Sequence, residues 1–418
     1  MKVLWIVNIV MPEALSLLKG NSTHRISGGW LIGAAQELVK QQGVRLTIAT
    51  VSKEVKELTR LEGEKIIYYL LPFGKGNSHI NHEYEAMWRE VNRIEQPDVI
   101  HLHGTEFTHG LAYLEECGSD RVCVSIQGLV SASLYYYYGL SRHEIRRSLT
   151  PYSLLVGGIL KGYRSFIRRG EVEKEIIRRV HHILGRTSWD RERIWAINPN
   201  ATYHFCGETL RPEFYTDLIW KYDDCIPHSI FVSQASYPIK GLHMLLKAMP
   251  LVLKHYPDAK IRVAGNDVAC LDGGKGLIKL TNYGQIIRKI IKRLDLKDII
   301  TFTGSLDAEE MRNEYLKSNV FICSSSIENS PNSLGEAQIL GVPVIASYVG
   351  GIPDMMEGDE EHLYRFEEIE MLAYKICQLF KKEGSIDTSC MRQAALLRHN
   401  PDTNTRDMMT VYKTISHE

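Results

Sequence analysis

The amino-acid sequence predicts an α/β protein with two doubly wound domains. In both halves of the chain, short apolar runs typical of buried parallel strands alternate with stretches of helical periodicity. Such an alternation gives parallel sheets joined by right-handed helical crossovers. The chain has 418 residues, too many for one ordinary hydrophobic core, so we expect two domains with a boundary near residues 217–227.

The composition excludes several classes of protein. Lysine plus arginine number 50 and aspartate plus glutamate number 50, so no net field favours binding to nucleic acid. The 8 cysteines are scattered without zinc-ligand spacing, which favours free thiols in a reducing cytoplasm. Asn8, Pro12 and Glu13 interrupt the N-terminal apolar run, and no stretch reaches about 18 apolar residues. We therefore expect a cytoplasmic protein without a membrane span.

A pair of glycines follows the first predicted strand, which covers residues 2–10. Gly28 and Gly29 stand directly before a helix predicted at residues 30–41. Because glycine has no Cβ, two glycines before a helix allow backbone amides to approach a ligand closely. Loops also use glycine for backbone geometry alone, and that interpretation stays open.

Two histidines end the strand predicted at residues 97–103. His101 and His103 are two residues apart and therefore lie on one face of the strand. Two histidines can begin a metal site, but no carboxylate or third histidine follows at ligand spacing. Structural histidines, or histidines that line a ligand site, are therefore favoured.

Two further strands of the first half end in polar residues. The strand at residues 122–126 ends in Gln127, which can both donate and accept hydrogen bonds but cannot titrate. The strand at residues 182–185 leads into Arg186, which is a candidate for binding an anion. Its alternative is an ion pair with Asp190, four residues further on.

Residues 134–180, called here the basic segment, are unusually rich in positive charge. Between residues 140 and 180 there are ten lysines and arginines and four glutamates, together with an apolar run at 154–160. A basic amphipathic segment can lie on an anionic membrane surface. It can equally be a pair of helices that pack on the domain with a solvated basic face. A peripheral membrane contact is therefore left open.

In the second half, strands predicted at residues 229–233, 260–264 and 299–303 each run into a polar turn. Lys240 precedes a helix predicted at residues 242–253. The ends of parallel strands meet at one edge of a sheet, where ligands bind. The turn residues that we expect at this edge are Gln234, Gly265, Asn266, Gly304 and Leu306.

The stretch from Ser324 to Gly351 predicts a strand, a loop, a helix and a strand. Residues 320–323 are an apolar run, and residues 324–332 have turn chemistry. Ser333 and Glu336 stand at capping-box spacing. This unit presents a helix N-terminus, and we expect an anion to bind the backbone amides of Asn332, Ser333 and Leu334.

Two carboxylates, Glu328 and Glu336, flank this predicted helix N-terminus. A carboxylate accepts bidentate hydrogen bonds from a pair of hydroxyls, so one could hold a sugar ring and the other a ribose while the amides bind phosphate. That combination describes a nucleotide-sugar site. The alternative is that Glu336 only closes the capping box and Glu328 is a solvated loop acid.

Glu328 to Glu336 resembles the E-x7-E motif of the retaining family 4 glycosyltransferases, and the following EAQILGVPVIAS and GGIPD are similar to that family's continuation. The resemblance implies the GT-B fold, two Rossmann-like domains facing across a cleft, and sugar transfer from a nucleotide diphosphate with retention. It implies that Glu328 contacts the donor sugar and Glu336 the ribose. The stretch SQASYPIKG at residues 233–241 resembles the family motif that presents Arg and then Lys-Gly to the diphosphate, which implies that Lys240 contacts the diphosphate. The family resemblance also implies that Gly28 and Gly29 lie beside the donor phosphates or the acceptor.

Residues 186–215 are similar to a capsule and exopolysaccharide subgroup of the family. We expect His103 and Arg186, which both lie at strand ends of the first domain, on the acceptor side. The chain departs from the family at two positions: Gln127 replaces a histidine, and Gln234 replaces an arginine of the diphosphate site. We expect Gln127 to orient the reactants. Glu328, Lys240 and Gln127 are then the predicted catalytic residues.

The predicted domains are an acceptor-binding domain at residues 1–216, which contains the basic segment, a donor-binding domain at 217–400, and a last helix at 401–418 that crosses back. The predicted function is retaining transfer of a sugar to a glycan or lipid-linked saccharide, in surface polysaccharide synthesis. Two alternatives stay open, a nucleotide-sugar 2-epimerase and a noncatalytic nucleotide-sugar-binding or scaffold protein. No Asp-x-Asp triplet is present, so neither a metal nor a cofactor beyond the donor is expected.

Overall fold

A computed structural model of the chain describes residues 1–20, 29–73, 82–132 and 139–417. The chain forms two compact units, each assembled from separate stretches of sequence. Unit 1 comprises Met1–Ser131, Phe166–Arg211 and Arg398–Glu418, and unit 2 comprises Ala132–Ser165 and Pro212–Leu397.

Unit 1 is built on a sheet whose strand order, among the described residues, is β3-β4-β2-β1-β5-β6-β7-β8. The β3–β4 pair is antiparallel and the other pairs are parallel. The strands are β1 (Lys2–Ile6), β2 (Arg45–Ser52), β3 (Thr59–Glu62), β4 (Ile66–Pro72), β5 (Val99–His103), β6 (Val122–Ser125), β7 (His182–Gly185) and β8 (Thr202–Phe205).

Unit 2 is built on a fully parallel sheet with the order β11-β10-β9-β12-β13-β14 among the described residues. Its first strand in sequence is central, so the chain winds outward in both directions, as in a Rossmann-like domain. The strands are β9 (Ile226–Val232), β10 (Lys260–Val263), β11 (Ile300–Phe302), β12 (Ser318–Cys323), β13 (Val344–Ser347) and β14 (Leu363–Tyr364).

Helices connect the strands of both units. None of the helices in the described part of the chain is long and apolar enough to cross a membrane. In chain order they are α1 (Pro12–Lys19), α2 (Gly29–Leu38), α3 (His82–Glu95), α4 (Thr108–Cys117), α5 (Arg142–Arg147), α6 (Pro151–Val156), α7 (Gly158–Arg179), α8 (Ser188–Ile197), α9 (Leu242–Leu253), α10 (Asn282–Arg293), α11 (Ala308–Leu316), α12 (Asn332–Ile339), α13 (Ile352–Met355), α14 (Ile369–Lys382), α15 (Ser389–Arg398) and α16 (Pro401–His417).

Both faces of the unit 1 sheet are covered by hydrophobic core. Leu4 of β1 packs in one cluster with Trp88 of α3, while the next residue, Trp5, packs in the other cluster with Tyr412 of α16. Successive side chains of a strand point to opposite faces, so adjacent residues of β1 serve both cores. The Trp5 indole also donates a hydrogen bond to the Tyr412 hydroxyl at 2.9 Å, which attaches α16 to the sheet of unit 1. This double burial explains why the strands read as continuous apolar runs.

The basic segment was predicted to lie in the first domain, but part of it belongs to unit 2. Residues 132–165 group with unit 2. The Thr150 hydroxyl donates to the Leu280 carbonyl oxygen at 2.6 Å, and the Ile159 amide donates to Asn282 Oδ1 at 3.2 Å. These tertiary hydrogen bonds, which local periodicity does not reveal, attach α6 and the start of α7 to unit 2.

Candidate functional site

The donor-site residues predicted in the second half of the chain lie at or near the carboxyl edge of the unit 2 sheet. Strands β9 and β12 are neighbours, and the chain continues from them toward opposite edges of the sheet. Ligands of open α/β sheets bind at such a switch point, outside the carboxyl ends of the strands. Lys240 lies in the connection that follows β9, and Glu328 lies in the loop that follows β12. The fold therefore brings together two predicted residues that are 88 positions apart.

Lys240 and Glu328 form a largely buried ion pair. Lys240 Nζ lies 2.6 Å from Glu328 Oε1, and the two side chains are 19% and 14% exposed. The Ser325 hydroxyl donates to the same Oε1 at 2.6 Å. Glu328 Oε2 has no hydrogen-bond partner in the described part of the chain. The pair thus leaves one carboxylate oxygen for a ligand.

The charge of Lys240 is stabilised by this pairing. Burial by itself lowers the pKa of Lys240, but the Glu328 carboxylate, through its charge and its hydrogen bond, raises that pKa above the ordinary value for lysine. Lys240 therefore carries a positive charge at neutral pH. Much of that charge is balanced within the site.

Backbone and hydroxyl contacts hold the Lys240 turn against the Glu328 loop. The Ser324 hydroxyl donates to the Lys240 carbonyl oxygen at 3.0 Å, and the Ser326 amide donates to the Ile239 carbonyl oxygen at 2.7 Å. Gly241, at φ 69°, allows this approach, since a Cβ at that position would collide with the Ser324 carbonyl oxygen. The loop after β12 is thereby fixed by the turn after β9.

A second glycine supports the same loop from the other side. Gly350 has φ 54°, and a Cβ there would collide with the Glu328 carbonyl oxygen. The next amide, that of Gly351, donates to this carbonyl oxygen at 3.1 Å. The glycine pair that the sequence shows after β13 therefore sets the position of the Glu328 backbone.

Helix α12 begins beside this loop, but not with the predicted capping box. Pro331 is the N-cap, and no side chain caps the helix, so the predicted Ser333–Glu336 box is wrong. The Leu334 amide donates to the Pro331 carbonyl oxygen at 2.9 Å, so it is not free for phosphate as expected. Of the three predicted amides, those of Asn332 and Ser333 have no acceptor in the described residues.

Two side chains of α12 add polar groups at its start. Asn332 Oδ1 is buried and has no hydrogen-bond partner among residues 1–20, 29–73, 82–132 and 139–417. Glu336, one helical turn later, is buried, with 4% of its surface exposed. The Tyr315 hydroxyl donates to the Ser333 carbonyl oxygen at 2.9 Å and so fixes the first turn of the helix. A buried oxygen without a partner is a group that a ligand or an ordered water satisfies.

A cavity of about 320 Å³ lies at the same edge, where β9, β10 and β11 end. Such a volume suits a small-molecule site. Gly304 itself is bonded to Gly265 across an antiparallel bridge, with N–O distances of 2.9 and 3.1 Å, so its backbone groups are already used. Four of the five predicted turn residues line the cavity, namely Gln234, Gly265, Asn266 and Leu306.

In unit 1, the two predicted acceptor-side residues lie together. His103 and Arg186 line a cavity of about 40 Å³ with Trp30, Glu208 and Asn404. Both ring nitrogens of His103 are buried and have no partner in the part of the chain that the structure describes. Burial, with smaller contributions from His101 and Arg186, lowers the pKa of His103 well below its ordinary value. Neutral His103 can therefore donate one hydrogen bond and accept another.

Arg186 does not offer an uncompensated charge to an anion, nor does its guanidinium pair with Asp190. Its Nη1 lies 2.6 Å from Glu208 Oε2, and the two side chains are 9% and 5% exposed. Asp190 instead accepts from the Arg186 backbone amide at 3.0 Å. Sequence reasoning missed Glu208, whose position just after the end of β8 could have indicated it. Its second oxygen, Oε1, is buried without a partner among the described residues.

Gln127 has a carboxylate neighbour that sequence reasoning also missed. Its Nε2 is buried without a partner in the described ranges. A Cβ added to Gly104, the residue after β5, would lie 3.8 Å from Gln127 Cγ and 3.7 Å from Glu106 Oε2. The side chains of Gln127 and Glu106 therefore lie near each other at the end of β5. Burial raises the pKa of Glu106 to about 7, although Arg169, 3.7 Å away, opposes this. The position of Glu106, three residues beyond the strand end, was the available signal.

Of the two predicted glycines, the structure describes Gly29. Gly28 lies outside the described residues. Gly29 is the first residue of α2, and a Cβ on it would lie 2.8 Å from Arg211 Cγ. The structure therefore gives a packing reason for Gly29, and a contact with donor or acceptor stays a prediction.

One group with the spacing of metal ligands occurs in the described residues. Asp359, Glu361 and His362 hold potential ligand atoms within 4.8 Å of one another. His362 already pairs with Asp359 at 2.6 Å, and Glu361 pairs with Lys382 at 3.0 Å. All three side chains therefore already have partners within the protein.

Known proteins resemble the chain in sequence over part of its length. The family model described as glycosyl transferases group 1 matches residues 226–382. Spore coat protein SA of Bacillus subtilis is 28% identical over 153 residues, which are 36% of this chain and 38% of that protein. A human phosphatidylinositol N-acetylglucosaminyltransferase subunit is 26% identical over 161 residues, which are 38% of this chain and 30% of that protein. The chain thus spans less than two fifths of the length of either curated relative.

Solved structures resemble the chain over nearly its whole length. Sucrose-phosphate synthase of Thermosynechococcus elongatus superposes with a TM-score of 0.70 at 15% identity, over 99% of both chains. HepE of Anabaena, solved with UDP-glucose, superposes with a TM-score of 0.62 at 13% identity, over 99% of this chain and 100% of that one. At such identities the likeness establishes the fold, and it confirms the predicted fold class. The chain accordingly has the GT-B fold, and its residues 226–382 match the family model described as glycosyl transferases group 1.

Proposed function

We propose that the protein is a glycosyltransferase that uses a nucleotide diphosphate sugar bound by unit 2. The observation that carries the proposal is the Lys240–Glu328 pair at the switch point of the sheet, beside the uncapped N-terminus of α12. A helix N-terminus with free amides binds phosphate, and a fixed carboxylate binds sugar hydroxyls. The cavity after β9, β10 and β11 provides space for the nucleoside.

Each group has a definite role in this proposal. Glu328 Oε2 accepts hydrogen bonds from donor-sugar hydroxyls, while Oε1 remains bonded to Lys240 and Ser325. The amides of Asn332 and Ser333 bind the diphosphate, and Glu336 is assigned to the ribose by the E-x7-E resemblance. As the bond from the anomeric carbon to the diphosphate breaks, Lys240 stabilises the departing charge. The acceptor oxygen bonds to that carbon, and its proton leaves with the diphosphate.

Several names of similar proteins support the donor class. The human relative is named as part of an N-acetylglucosaminyltransferase, an Arabidopsis relative that is 36% identical over 121 residues is called a sulfoquinovosyl transferase, and HepE was solved with UDP-glucose. Each of these names concerns a sugar or its nucleotide carrier. Their shared feature supports a nucleotide-sugar donor for this chain and leaves its sugar open.

We further propose a glycan or lipid-linked saccharide as the acceptor, retention at the anomeric carbon, and a role in surface polysaccharide synthesis. The acceptor side is supported by the unit 1 cavity, where His103 and Glu208 have buried polar atoms without partners in the described residues. Such atoms suit neutral hydroxyl groups better than an anion, because Arg186 is already balanced. Retention and the polysaccharide role rest on the family resemblance, with Gln127 as an orienting group.

The test measures donor binding and turnover in the same preparation. A panel of nucleotide sugars is screened by thermal shift against wild type, Glu328→Gln and the control Glu309→Gln, whose side chain is 71% exposed. We expect one nucleotide sugar to stabilise wild type and the control but not Glu328→Gln. NMR then follows the products with and without saccharide acceptors, and the product anomer reports retention or inversion.

The other outcomes distinguish the alternatives. Conversion of the nucleotide sugar to its C2 epimer without an acceptor would replace the transferase proposal with a 2-epimerase. Binding without turnover on any acceptor would favour the noncatalytic protein. Equal stabilisation of wild type and Glu328→Gln would remove Glu328 from the donor site.

A further inference from the structure

Unit 2 exposes a group of aliphatic side chains drawn from two distant parts of the sequence. Leu155 is 86% exposed, Ile278 is 74% exposed and Leu154 is 70% exposed. Helix α6 and the residues around it contribute one part, and the 3₁₀ helix Gly274–Lys279 contributes the other. The members of this set, called here the apolar patch, are Leu149, Leu154, Leu155, Val156, Leu160, Leu277 and Ile278.

Tertiary contacts place the two parts side by side. Helix α6 contacts the 3₁₀ helix Gly274–Lys279. The Thr150 hydroxyl, at the N-cap of α6, donates to the carbonyl oxygen of Leu280, the residue that follows this 3₁₀ helix. The apolar patch therefore consists of exposed side chains on two elements that are in contact. Contiguous exposed apolar surface of this kind marks an interaction site in a soluble domain.

Exposed basic residues accompany the apolar patch. These basic side chains form no ion pair with another described residue. Segments 142–164 and 274–279 contain a single acidic residue, Glu144, whose carboxylate lies 3.5 Å from Lys247 Nζ. These basic residues, called here the basic rim, are Arg142, Arg146, Arg147, Lys161, Arg164 and Lys279.

The remainder of α7 has a different character. Lys174 pairs with Glu171 at 2.9 Å, and Arg179 pairs with Glu175 at 2.8 Å. These charges are balanced on their own helix and need no external partner. The basic side chains of residues 142–164, on unit 2, thus have no ion pairs among the described residues, whereas most basic side chains in the rest of the basic segment do.

We propose that the apolar patch and the basic rim dock unit 2 on the surface of an anionic lipid bilayer. Aliphatic side chains enter the boundary between headgroups and acyl chains, while lysine and arginine bind anionic headgroups. A second copy of this chain fits less well, because a symmetric contact would bring the basic rim against itself. A nucleic acid would neutralise the rim but leave the aliphatic side chains in water. The proposal concerns attachment and stands independently of the reaction.

The experiment is vesicle co-sedimentation of the full chain. Vesicles of phosphatidylcholine alone are compared with vesicles that also contain phosphatidylserine. We expect wild type to pellet with the anionic vesicles and to stay in solution with phosphatidylcholine. Added salt should weaken the binding, since the headgroup contacts are electrostatic.

Two variants test the two components of the surface. Leu155→Ser with Ile278→Ser removes the two most exposed aliphatic side chains, and Arg146→Gln, Arg147→Gln and Lys161→Gln together remove part of the basic rim. About 1 kcal/mol per basic residue corresponds to roughly a hundredfold weaker partition for the triple variant. All five residues are exposed, so the variants should fold, which their melting curves check.

Matched controls separate this surface from a general effect of charge or apolarity. Leu397→Ser changes another leucine of unit 2 that is 70% exposed, and Lys174→Gln with Arg178→Gln and Arg179→Gln removes three paired charges of α7. Both controls should pellet as wild type does. Wild type that stays in solution with anionic vesicles would overturn the proposal, and so would patch variants that pellet normally. A dimer that Leu155→Ser with Ile278→Ser dissociates, without vesicle binding, would assign the surface to self-association.

Discussion

The ion pair between Lys240 and Glu328 predicts a strong, measurable coupling between the two side chains. They are 19% and 14% exposed, and Nζ and Oε1 are 2.6 Å apart. Removing one partner of a buried pair costs about 3 to 5 kcal/mol, because the other charge stays buried without compensation. Since both groups retain some exposure, we expect about 3 kcal/mol for Glu328→Gln or for Lys240→Met alone. In the double variant neither charge remains, so most of this loss should be recovered.

Differential scanning calorimetry measures this double-mutant cycle. For a unit of this size, 1 kcal/mol shifts the melting temperature by about 2 to 4 °C. Each single variant should therefore lower the melting temperature of unit 2 by about 6 to 12 °C. The decrease in the double variant should be much smaller than the sum of the two single decreases. As a control, Glu309→Gln disrupts a surface pair at 3.9 Å and should shift it by about 2 °C or less. Additive losses in the double variant would refute the coupling.

Three further predictions follow from backbone geometry, burial and pairing. Gly350→Ala should need an at least tenfold higher concentration of nucleotide sugar for the same rise in melting temperature, because the added Cβ collides with the Glu328 carbonyl oxygen. The control Gly358→Ala, at φ 82° with nothing within 4 Å of the added Cβ, should need no more nucleotide sugar than wild type. Burial raises the pKa of the Glu106 carboxyl from 4.5 to about 7, so the protonated carboxyl favours the folded state. As the pH rises from 4.5 through 7, the free energy of unfolding of wild type should therefore fall by about 3 kcal/mol relative to that of Glu106→Gln. Arg186→Met leaves the buried Glu208 carboxylate unpaired and should lower the free energy of unfolding, measured by thermal unfolding, by about 3 kcal/mol.

Each of these three predictions has a specific contrary result. Equal donor stabilisation in Gly350→Ala and Gly358→Ala would show that the loop tolerates the added methyl group. A constant stability difference between wild type and Glu106→Gln across this pH range would show that the carboxyl ionises as it does in water. An Arg186→Met variant as stable as wild type would show that its partner is solvated or protonated.

The alternation of apolar runs and helical periods predicted the fold class, because strands buried on both faces read as continuous apolar runs. The E-x7-E resemblance indicated Glu328, and the resemblance of residues 233–241 indicated Lys240; the structure brings these two side chains together. Their direct pairing, and the hydrogen bond from Ser325, depend on tertiary packing across β9 and β12 and have no local signal. The sequence could show the two groups of the site but not that they compensate each other.

Other errors have equally definite causes. Ser333 and Glu336 had the right spacing for a capping box, but α12 begins at Asn332, so Ser333 is inside the helix rather than at its N-cap. The basic segment had helical periodicity, but periodicity reports the buried face of a helix and not the unit on which it packs. Glu208 was missed because a single carboxylate in a loop resembles any solvated acid.

The pairing of Lys240 with Glu328 also bears on which anions the site can select. A cluster of unpaired cations would attract sulfate, inorganic phosphate and free nucleotides alike. Here much of the Lys240 charge is balanced by Glu328, so a bare anion gains less from this lysine than it would from an unpaired one. A ligand that also carries hydroxyl groups gains the second oxygen of the carboxylate. If unit 2 binds a nucleotide sugar as proposed, the pairing of Lys240 with Glu328 favours molecules that combine phosphate with sugar over abundant cellular anions.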